Sequence, residues 1–378
     1  MVKLNFLFIG CDCDVTANDY QVEYGESNDR FYFSLSRKGK MLIDSRHGPV
    51  IFEDQFLEIS FNLGSYNCYG MGEQNHRRFR HLLNWQRWAM FSRDVAPIDE
   101  WNFYGTQPFV MCVDDDSAFG IYYHNSNAQE GQFSPAPAFT WRSVGGVFDV
   151  TIIVADTPEE VVQHYTTSVI GRPFLPPLWA LGFQLSRWGY NSLDKMESVV
   201  NEMLEAKIPY DAQYGDIDYM DRKRDFTYDP VAFKGFPEFV QNLQETNKMH
   251  YIVILDPAIQ NSLTPNGELL TKEEYEAFYT GNEALNHNGE KGIWVRDAEG
   301  NPVQAEVWPG PTYFPDFTDV EHTGNWWTEE CSKFYNDTGV HYNALWIDMN
   351  EPANFQTDSG ALTVSRKNII NKNLLLYH

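Results

Sequence analysis

The chain has 378 residues, a formal net charge of −25 at pH 7 and an aromatic content of 15%. A chain of this length can bury two separate hydrophobic cores, so two domains are expected. The charge argues against nucleic acid as a partner, because phosphate binding requires a basic surface. No run of the sequence reaches the ~18 apolar residues of a transmembrane segment.

The five cysteines are spread along the chain without the spacing of a zinc site, and nothing else in the sequence indicates a metal or a cofactor. Their odd number leaves at least one thiol free. The residues before Cys11 faintly resemble a secretion signal, but Asn5 interrupts their apolar run, so we interpret them as a strand or an artefactual start. The sequon Asn336-Asp337-Thr338 is weak evidence of secretion.

Residues 1–170 are predicted to form an antiparallel β-sandwich that is incomplete at its N-terminus. From about residue 19, short segments rich in β-branched and aromatic residues alternate with turn clusters, as in Phe56–Phe61 and Phe148–Val154. The pattern of this region is all-β. Residues 171–178 contain three prolines, which favour an extended linker over a helix.

After the linker, strands and helices alternate, which predicts a parallel sheet over residues 179–355. A helix capped by Asn191 or Ser192 is predicted to carry apolar residues at spacings of three and four. Four strand–helix units in about 170 residues correspond to half of a (β/α)8 barrel, whose typical length is ~250 residues. The predicted strands are Ala180–Ser186, about Asp211–Asp216, Tyr251–Leu255 and Leu345–Ile347.

Two further stretches depart from this alternation. Residues from about 260 to 292 are polar and irregular apart from a predicted helix near Lys272–Tyr279. We interpret them as an insertion, which on a barrel tends to lie at the rim of the active site. Residues 356–378 turn basic and Asn-rich after an acidic chain, and we interpret this aberrant tail as translated intron or a splice variant.

The last predicted strand ends abruptly at an acid. Asp348 follows it directly, and Pro352 biases Glu351 away from helix, so the chain turns here. Taken alone, an aspartate at a strand end is more often a turn residue than a catalytic one. A carboxylate that ends a buried strand is also where an α/β barrel places its chemistry.

Acids also end two earlier strands, at Asp216-Ile217-Asp218 and at Asp256. Because the carboxyl ends of parallel strands meet at one edge, these acids are predicted to converge on a site. The Asp-x-Asp pattern also occurs as a metal motif of nucleotide-sugar transferases, but the phosphate-binding loops of that class are not found. Aromatic residues in polar surroundings suit stacking on sugar rings, although most of them are expected to fill cores.

Nine segments between about Gln21 and Phe355 resemble, in the same order, those of glycoside hydrolase family 31, the retaining α-glucosidases. Within that family they are similar to the maltase-glucoamylase and sucrase-isomaltase type. The segments are Tyr69–Glu73, Phe91–Asp94, Asn102–Gly105, Ala180–Trp188, Asp216–Asp221, Phe236–Glu238, Asp256–Ala258, Trp308–Gly310 and Trp346–Glu351.

The resemblance implies a galactose-mutarotase-like β-sandwich followed by the first half of a TIM barrel. It also implies that Asp348 is the nucleophile, with Glu351 holding its carboxylate ionised and oriented. Asp216 would accept hydrogen bonds from sugar hydroxyls, while Arg93 and Asp94 would lie on a sandwich loop that reaches over the barrel mouth. For the other implied pocket residues, core packing is the competing interpretation. These residues are Ile217, Ile254, Trp308, Trp346 and Met349.

A retaining glycosidase also needs an acid ~5–5.5 Å from its nucleophile. In the family this acid is an aspartate on a strand beyond the nucleophile, and we expect it to be absent from this chain. The family resemblance implies hydrolysis of terminal α-linked glucose from maltose-like oligosaccharides, whereas the 378-residue chain alone is expected to be inactive.

Other outcomes remain open. The alternative function is a non-catalytic truncated isoform that binds carbohydrate or a partner subunit. Relatives of the family that act as α-xylosidases, α-galactosidases or lyases are further alternatives. The resemblance also implies the secretory pathway, with an extracellular or cell-surface location.

Overall fold

The computed structural model describes residues 5–9, 20–27, 30–261 and 270–355. The described residues divide into two compact units between Phe174 and Leu175, within the stretch that was predicted to be the linker. The predicted domain limits at residues 170 and 179 remain predictions, and the tail at 356–378 lies outside the described residues.

Within its described residues, the first unit contains two sheets and one α-helix. One sheet has the strand order β1-β13-β10-β9-β7, and the other has the order β2-β3-β4-β6-β12-β11-β8, with β5 paired to β6. The pairs are antiparallel apart from β1 with β13. The elements are β1 Asn5–Ile9, β2 Tyr20–Ser27, β3 Arg30–Arg37, β4 Lys40–Asp44, β5 Ile51–Glu53, β6 Phe56–Leu63, β7 Asn67–Gln74, β8 Arg87–Met90, β9 Asn102–Val113, β10 Ala118–Tyr123, β11 Gln129–Ser134, β12 Ala138–Ser143, β13 Asp149–Ala155 and α1 Pro158–His164.

These two sheets share one hydrophobic core. Alternation along the strands directs one side chain in two inward, so Phe61 and Phe139 from one sheet meet Ile121 from the other. A disulfide joins Cys68 to Cys112 at directly paired positions of β7 and β9 within this core. The core and the disulfide together hold the unit.

The prediction of an all-β region up to residue 170 is wrong at its end. Thr157 accepts a hydrogen bond from the backbone of Glu160, whose side chain in turn accepts from the backbone of Thr157, and Pro158 begins the helix. This capping box starts α1, which continues as a π-helical turn over Tyr165–Val169. Val161 of α1 is fully buried, so the helix is part of the unit's core.

The second unit is built on a parallel sheet with the strand order β14-β15-β16-β20. A separate antiparallel sheet has the order β17-β19-β18. None of the helices in the described parts of the chain is both long and apolar enough to span a membrane. The elements are β14 Gln184–Leu185, α2 Leu193–Glu205, β15 Ala212–Gly215, α3 Phe236–Glu245, β16 His250–Leu255, β17 Ile259–Gln260, α4 Glu276–Glu283, β18 Gln304–Val307, β19 Gly310–Tyr313, α5 His322–Thr338 and β20 Ala344–Ile347.

The helices of this unit form where the sequence provides a cap and an apolar stripe. The side chain of Ser192 accepts from the backbone of Lys195 at the start of α2. Met196 of α2 and Val240 of α3 are buried in the same core as Val253 of β16, so both helices cover the parallel sheet. This packing holds the sheet, and with it the common edge at which β15, β16 and β20 end, in place.

The strand predicted at Ala180–Ser186 is largely wrong. Residues Leu178–Leu181 form a 3-10 helix, and only Gln184–Leu185 pair as a strand. The N–H of Gly182 bonds back to the carbonyl of Trp179 rather than to a neighbouring strand. A Cβ on Gly182 would lie 1.9 Å from a carboxylate oxygen of Asp211, so only glycine fits this approach.

The stretch predicted to be a polar, irregular insertion, of which residues 262–269 lie outside the described residues, contributes to a second core of this unit. Tyr275 from this stretch is buried together with Ile259, Ile293, Trp294 and Trp326, which lie before or after it. The predicted helix is present, but it begins at residue 276 rather than 272. These apolar residues are far apart in sequence and follow no single period, so pattern reasoning could not group them.

Candidate active site

Three neighbouring parallel strands each end in an aspartate. Asp216 follows β15, Asp256 follows β16 and Asp348 follows β20. Val253 of β16 pairs with Gly215, and Ile254 pairs with Trp346, so the three strands end at one edge of the sheet. The structure therefore brings these three carboxylates to the same place.

The electrostatic environment of these aspartates reflects burial and mutual repulsion. Burial raises the pKa of Asp216, and the charges of Asp218 and Asp348 raise it further against a backbone hydrogen bond that lowers it. Burial raises the pKa of Asp256 to about 7, with further contributions from Asp348 and Asp216. Among the described residues, no cation contributes to the pKa shift of Asp216 or Asp256.

Asp348 lies at the start of a tight turn. Its Oδ1 accepts a hydrogen bond of 2.8 Å from the backbone N–H of Met349, which orients the carboxylate. Met349 has a φ of 59°, in the left-handed region that residues other than glycine rarely adopt. Its side chain is buried beside Ala258 and Val307, so packing against the segment after β16 and against β18 holds this turn.

Glu351 lies in the same turn. Its Oε2 is buried and has no hydrogen-bond partner within the described part of the chain. The segment that follows is attached to β18, because the N–H of Phe355 donates to the carbonyl of Glu306 at 3.0 Å and Asn354 accepts from the N–H of Glu306 at 3.1 Å. The predicted role of Glu351 as a companion of the nucleophile stays a prediction.

The loop after β15 is also held by its acids. Oδ1 of Asp216 accepts from the backbone of Ile217 at 2.7 Å, and Oδ2 of Asp218 accepts from the backbone of Gly189 at 2.8 Å. Ile217 and Ile254 are 4% and 2% exposed and belong to the unit's main core. Their burial fits the competing interpretation of core packing, and a role in a substrate pocket remains a prediction.

The two candidate tryptophans differ in exposure. Trp308 lies in the turn between β18 and β19 and is 45% exposed. The ammonium of Lys223 lies 5.4 Å from its ring centroid, and the ring of Phe355 approaches it edge-on at 4.7 Å. Trp346 lies on β20, half-buried, with its ring 5.8 Å from that of Tyr214. Trp308 therefore has ring surface available for stacking.

Arg93 and Asp94 belong to the first unit and lie between β8 and β9. The guanidinium of Arg93 lies 5.5 Å from the ring centroid of Trp101, and Asp94 accepts a hydrogen bond of 2.6 Å from the hydroxyl of Tyr104. Both side chains are exposed. Their expected role near the sugar remains a prediction.

Sequence reasoning missed Asp225, which is 1% exposed and accepts a hydrogen bond of 2.7 Å from the backbone N–H of Asp256. It lies in a stretch of alternating charges and polar residues that is typical of a solvated loop, so no pattern indicates its burial. Among the described residues, no group of three or more histidines, cysteines, aspartates or glutamates is arranged to hold a metal ion.

Carboxylates at the carboxyl ends of neighbouring parallel strands are a common active-site arrangement of α/β enzymes, and comparison with known families identifies the class of this one. The family model for the glycosyl hydrolases family 31 TIM-barrel domain matches residues 173–374, which is more than half of the chain. The chain belongs to glycosyl hydrolase family 31, so the resemblance inferred from its motifs is confirmed.

Among curated proteins, intestinal sucrase-isomaltase of Oryctolagus cuniculus is 44% identical over 354 residues, which are 92% of this chain and 18% of that protein. Lysosomal alpha-glucosidase of Rattus norvegicus is 39% identical over 345 residues, or 89% of this chain and 33% of that protein. The chain thus spans less than a fifth of the former and about a third of the latter.

Solved structures share the fold. A crystal structure of the glucosidase II alpha subunit in a Tris-bound form superposes with a TM-score of 0.73 at 21% identity, covering 86% of this chain and 39% of that one. The GH31 dextranase of Flavobacterium johnsoniae, complexed with glucose, gives a TM-score of 0.69 at 23% identity, covering 89% and 38%. These likenesses support the mixed β and α/β architecture.

Proposed function

We propose that this chain carries the sugar-binding part and the nucleophile of a retaining α-glucosidase, with Asp348 attacking the anomeric carbon. The observation that carries the proposal is the meeting of Asp216, Asp256 and Asp348 at three adjacent strand ends, with no cation contributing to the pKa shift of Asp216 or Asp256 among the described residues. In this proposal the first unit is a β-sandwich, and residues 179–355 are the first half of a (β/α)8 barrel.

Carboxylates without a partner cation lower the stability of the folded protein, but they can stabilise a positively charged transition state. Glycoside cleavage passes through an oxocarbenium-like transition state, whose positive charge develops on the sugar ring. Carboxylates held in place before the reaction stabilise that charge more than they stabilise the neutral ground state. An acidic site without a partner cation therefore suits glycosyl transfer to a carboxylate.

The covalent step follows from the position of Asp348. A carboxylate oxygen forms a bond to the anomeric carbon while the bond to the departing oxygen breaks, and the departing oxygen takes the electron pair. The N–H of Met349 fixes Oδ1 and so limits the rotation of the carboxylate. Water then cleaves the glycosyl ester and restores the original anomeric configuration.

The remaining residues define the sugar site in this proposal. Asp216 accepts hydrogen bonds from sugar hydroxyls, and Glu351 supports the ionised nucleophile. Trp308 provides an exposed ring for stacking. The name of lysosomal alpha-glucosidase favours an α-linked glucose, and the motif resemblance favours the terminal glucose of maltose-like oligosaccharides. The disulfide and these relatives together favour the secretory pathway.

The decisive experiment uses an α-glucosyl fluoride that carries a second, deactivating fluorine on the sugar ring. Fluoride leaves without protonation, so Asp348 can be glycosylated whether or not the chain holds a proton donor. We expect intact-protein mass spectrometry to show one added sugar, and peptide mapping to place it on Asp348. Asp348→Asn should lose the label, whereas Asp194→Asn on the exposed surface of α2 should keep it. Labelling at another residue, or equal labelling of Asp348→Asn, would refute the proposal.

We assign no described residue as the proton donor, and we propose that the chain alone hydrolyses ordinary α-glucosides slowly. A pair of substrates tests this, one with a dinitrophenolate leaving group and one with maltose. Assistance by an acid is typically worth ~10²–10⁴-fold, and the poor leaving group depends on it. Rapid turnover of maltose that is abolished in Asp348→Asn would show that the chain supplies its own donor.

A further inference from the structure

Asp225 and Asp256 form a buried acid pair, of which only Asp256 is among the three strand-end acids of the proposed site. Asp256 ends β16, and Asp225 lies in the loop that follows β15. The backbone N–H of Asp256 donates to Oδ1 of Asp225 at 2.7 Å. The two residues are 4% and 1% exposed, so both carboxyl groups are withdrawn from water.

The neighbouring cation, Arg224, forms its hydrogen bonds with groups outside this pair. Arg224 precedes Asp225 in sequence and is buried, but its guanidinium bonds the carboxylate of Asp221 and the carbonyl of Glu274 at 3.1 Å. It also lies 5.1 Å from the ring centroid of Tyr275. The guanidinium therefore stabilises a different carboxylate.

Within the described part of the chain, no lysine, arginine or histidine is among the groups that shift the pKa of Asp225 or Asp256. In addition to burial, Asp225 raises the pKa of Tyr219 in the loop after β15, of Tyr275 before α4 and of Cys331 on α5. From the neighbouring strand ends, and again in addition to burial, Asp348 and Asp216 raise the pKa of Asp256. Two adjacent buried carboxylates that no described cation offsets cannot both stay ionised at low cost.

The orientation of Asp256 supports the same reasoning. Its Oδ1 is buried and has no hydrogen-bond partner among the residues that the structure describes. Burial raises the pKa of Asp225, and the charge of Asp256 raises it further, while burial is also the main cause that raises the pKa of Asp256 to about 7. A negative charge on an oxygen with no donor would be strongly disfavoured.

We infer that Asp225 and Asp256 hold one proton between them at neutral pH, and that this half-neutralised pair positions the edge on which Asp216 and Asp348 stand. The pair connects the loop after β15 to the end of β16. Loss of the shared proton would place two repelling charges in this connection and a further negative charge beside Asp348. The effect on Asp348 rests on the proposed function, but the proton itself does not.

The sign of the pH dependence follows from proton counting. In the window between the ordinary carboxyl pKa of ~3.9 and the raised native pKa, the folded chain binds more protons than the unfolded chain. Stability therefore falls as pH rises through this window. One extra bound proton increases the equilibrium constant for unfolding about tenfold per pH unit.

Urea unfolding of the full chain between pH 4 and pH 8 tests the inference. The variants are Asp225→Asn and Asp256→Asn, in which the amide donates a hydrogen bond as a protonated acid would. The exposed Asp194→Asn is the matched control. Each single variant keeps one buried carboxyl whose pKa burial still raises, so we expect only the double variant Asp225→Asn/Asp256→Asn to have a pH slope smaller than that of wild type by about one proton. Equal slopes in the wild type and the double variant would overturn the inference.

Infrared spectroscopy gives an answer even if neither buried variant folds. At pH 7, native wild-type chain should show the carbonyl band of a protonated carboxyl, and heat-unfolded chain should show almost none. Absence of that band from the native chain would refute the shared proton.

The positioning role has its own readout in the labelling of Asp348 by the deactivated glucosyl fluoride. We expect the labelling rate of wild type to fall above pH 7 and that of Asp256→Asn to stay constant. Identical profiles would refute positioning while leaving the proton in place. Absence of labelling at every pH would instead refute the proposed function, with the proton still decided by unfolding and infrared data.

Discussion

Two groups of acids, one in each unit, are compensated in opposite ways. In the first unit, Arg142 lies between two glutamates and bonds Glu58 and Glu130, the latter at 2.8 Å. Burial works to lower the pKa of this arginine, but hydrogen bonds and charge from both glutamates raise it overall. In the second unit, the acids at the strand ends act on one another, and no cation contributes to the pKa shifts of Asp216 or Asp256 within the described residues.

This difference separates acids that serve stability from acids that serve chemistry. A carboxylate out of water is tolerated when a cation and hydrogen bonds offset its lost hydration. A protein that leaves several such groups uncompensated accepts lower stability, and this trade occurs mainly at functional sites. Substitutions around Arg142 should therefore change stability alone, whereas those at the strand ends should change chemistry more than stability.

Removal of the disulfide should give the largest effect on stability. Cys68 and Cys112 are 44 residues apart, and the entropy of closing such a loop in the unfolded chain corresponds to about 4 kcal/mol. We expect the double variant Cys68→Ala/Cys112→Ala to lose about this much in the urea-induced unfolding of the first unit. Labelling of Asp348 per folded molecule should not change. A labelling rate that fell in parallel with stability would break the separation between the units.

Asp216→Asn should have the opposite outcome. Loss of a charged hydrogen-bond acceptor for the sugar should slow labelling of Asp348 by about 100-fold, or ~3 kcal/mol. Stability at pH 7 should rise or stay the same, because an uncompensated charge has been removed.

The pH dependence of this variant sharpens the test. The pKa of Asp216 is raised in the folded chain, so its ionisation lowers stability as pH rises above the ordinary carboxyl range. The stability gained by Asp216→Asn over wild type should therefore be larger at pH 7 than at pH 4. A variant that is less stable than wild type at pH 7 would mean that Asp216 is a structural acid.

Arg142→Gln provides the corresponding test in the first unit. It leaves Glu58 and Glu130 without their shared cation, and since all three side chains are partly exposed we expect a loss of about 1–2 kcal/mol at pH 7. Because the arginine and the glutamates attract through their charges, the loss should shrink at high salt. Urea unfolding at low and high salt measures both losses. A loss that does not depend on salt would assign the effect to packing.

The sequence predicted the parts of the fold that depend on local pattern. Alternation identified the strands of the first unit, and the apolar stripe after Ser192 identified α2. The aspartates at the strand ends were predictable as well, because parallel strands share one carboxyl edge. The helix α1 could have been predicted from Thr157-Pro158-Glu159-Glu160, which is a capping box after a strand.

Features that depend on tertiary packing could not be predicted in this way. The core around Trp294 assembles residues that are distant in the chain. The backbone bond from Gly182 back to Trp179 leaves no signal in the apolar run Ala180–Ser186. Asp225 is the clearest example. Its burial depends on β16 lying beside its loop, and a single acid in a polar stretch gives no periodic signal.

Trp308→Ala should give the smallest effect. It tests whether the exposed ring of Trp308 stacks on the sugar. The ring is 45% exposed, so its removal leaves little cavity and should change stability by less than ~0.5 kcal/mol. If the ring stacks on the sugar, the loss should appear in binding, at about 1 kcal/mol or roughly 5-fold in the concentration of glucosyl fluoride that gives half-maximal labelling.

Trp308→Phe keeps an aromatic face and should recover most of that loss. Lys223→Gln is the matched control, because the ammonium contacts the same ring and an effect through that contact alone would reproduce the loss. A decrease in stability with unchanged concentration dependence would assign Trp308 to packing, and the strand-end edge would then depend on its aspartates alone for sugar recognition.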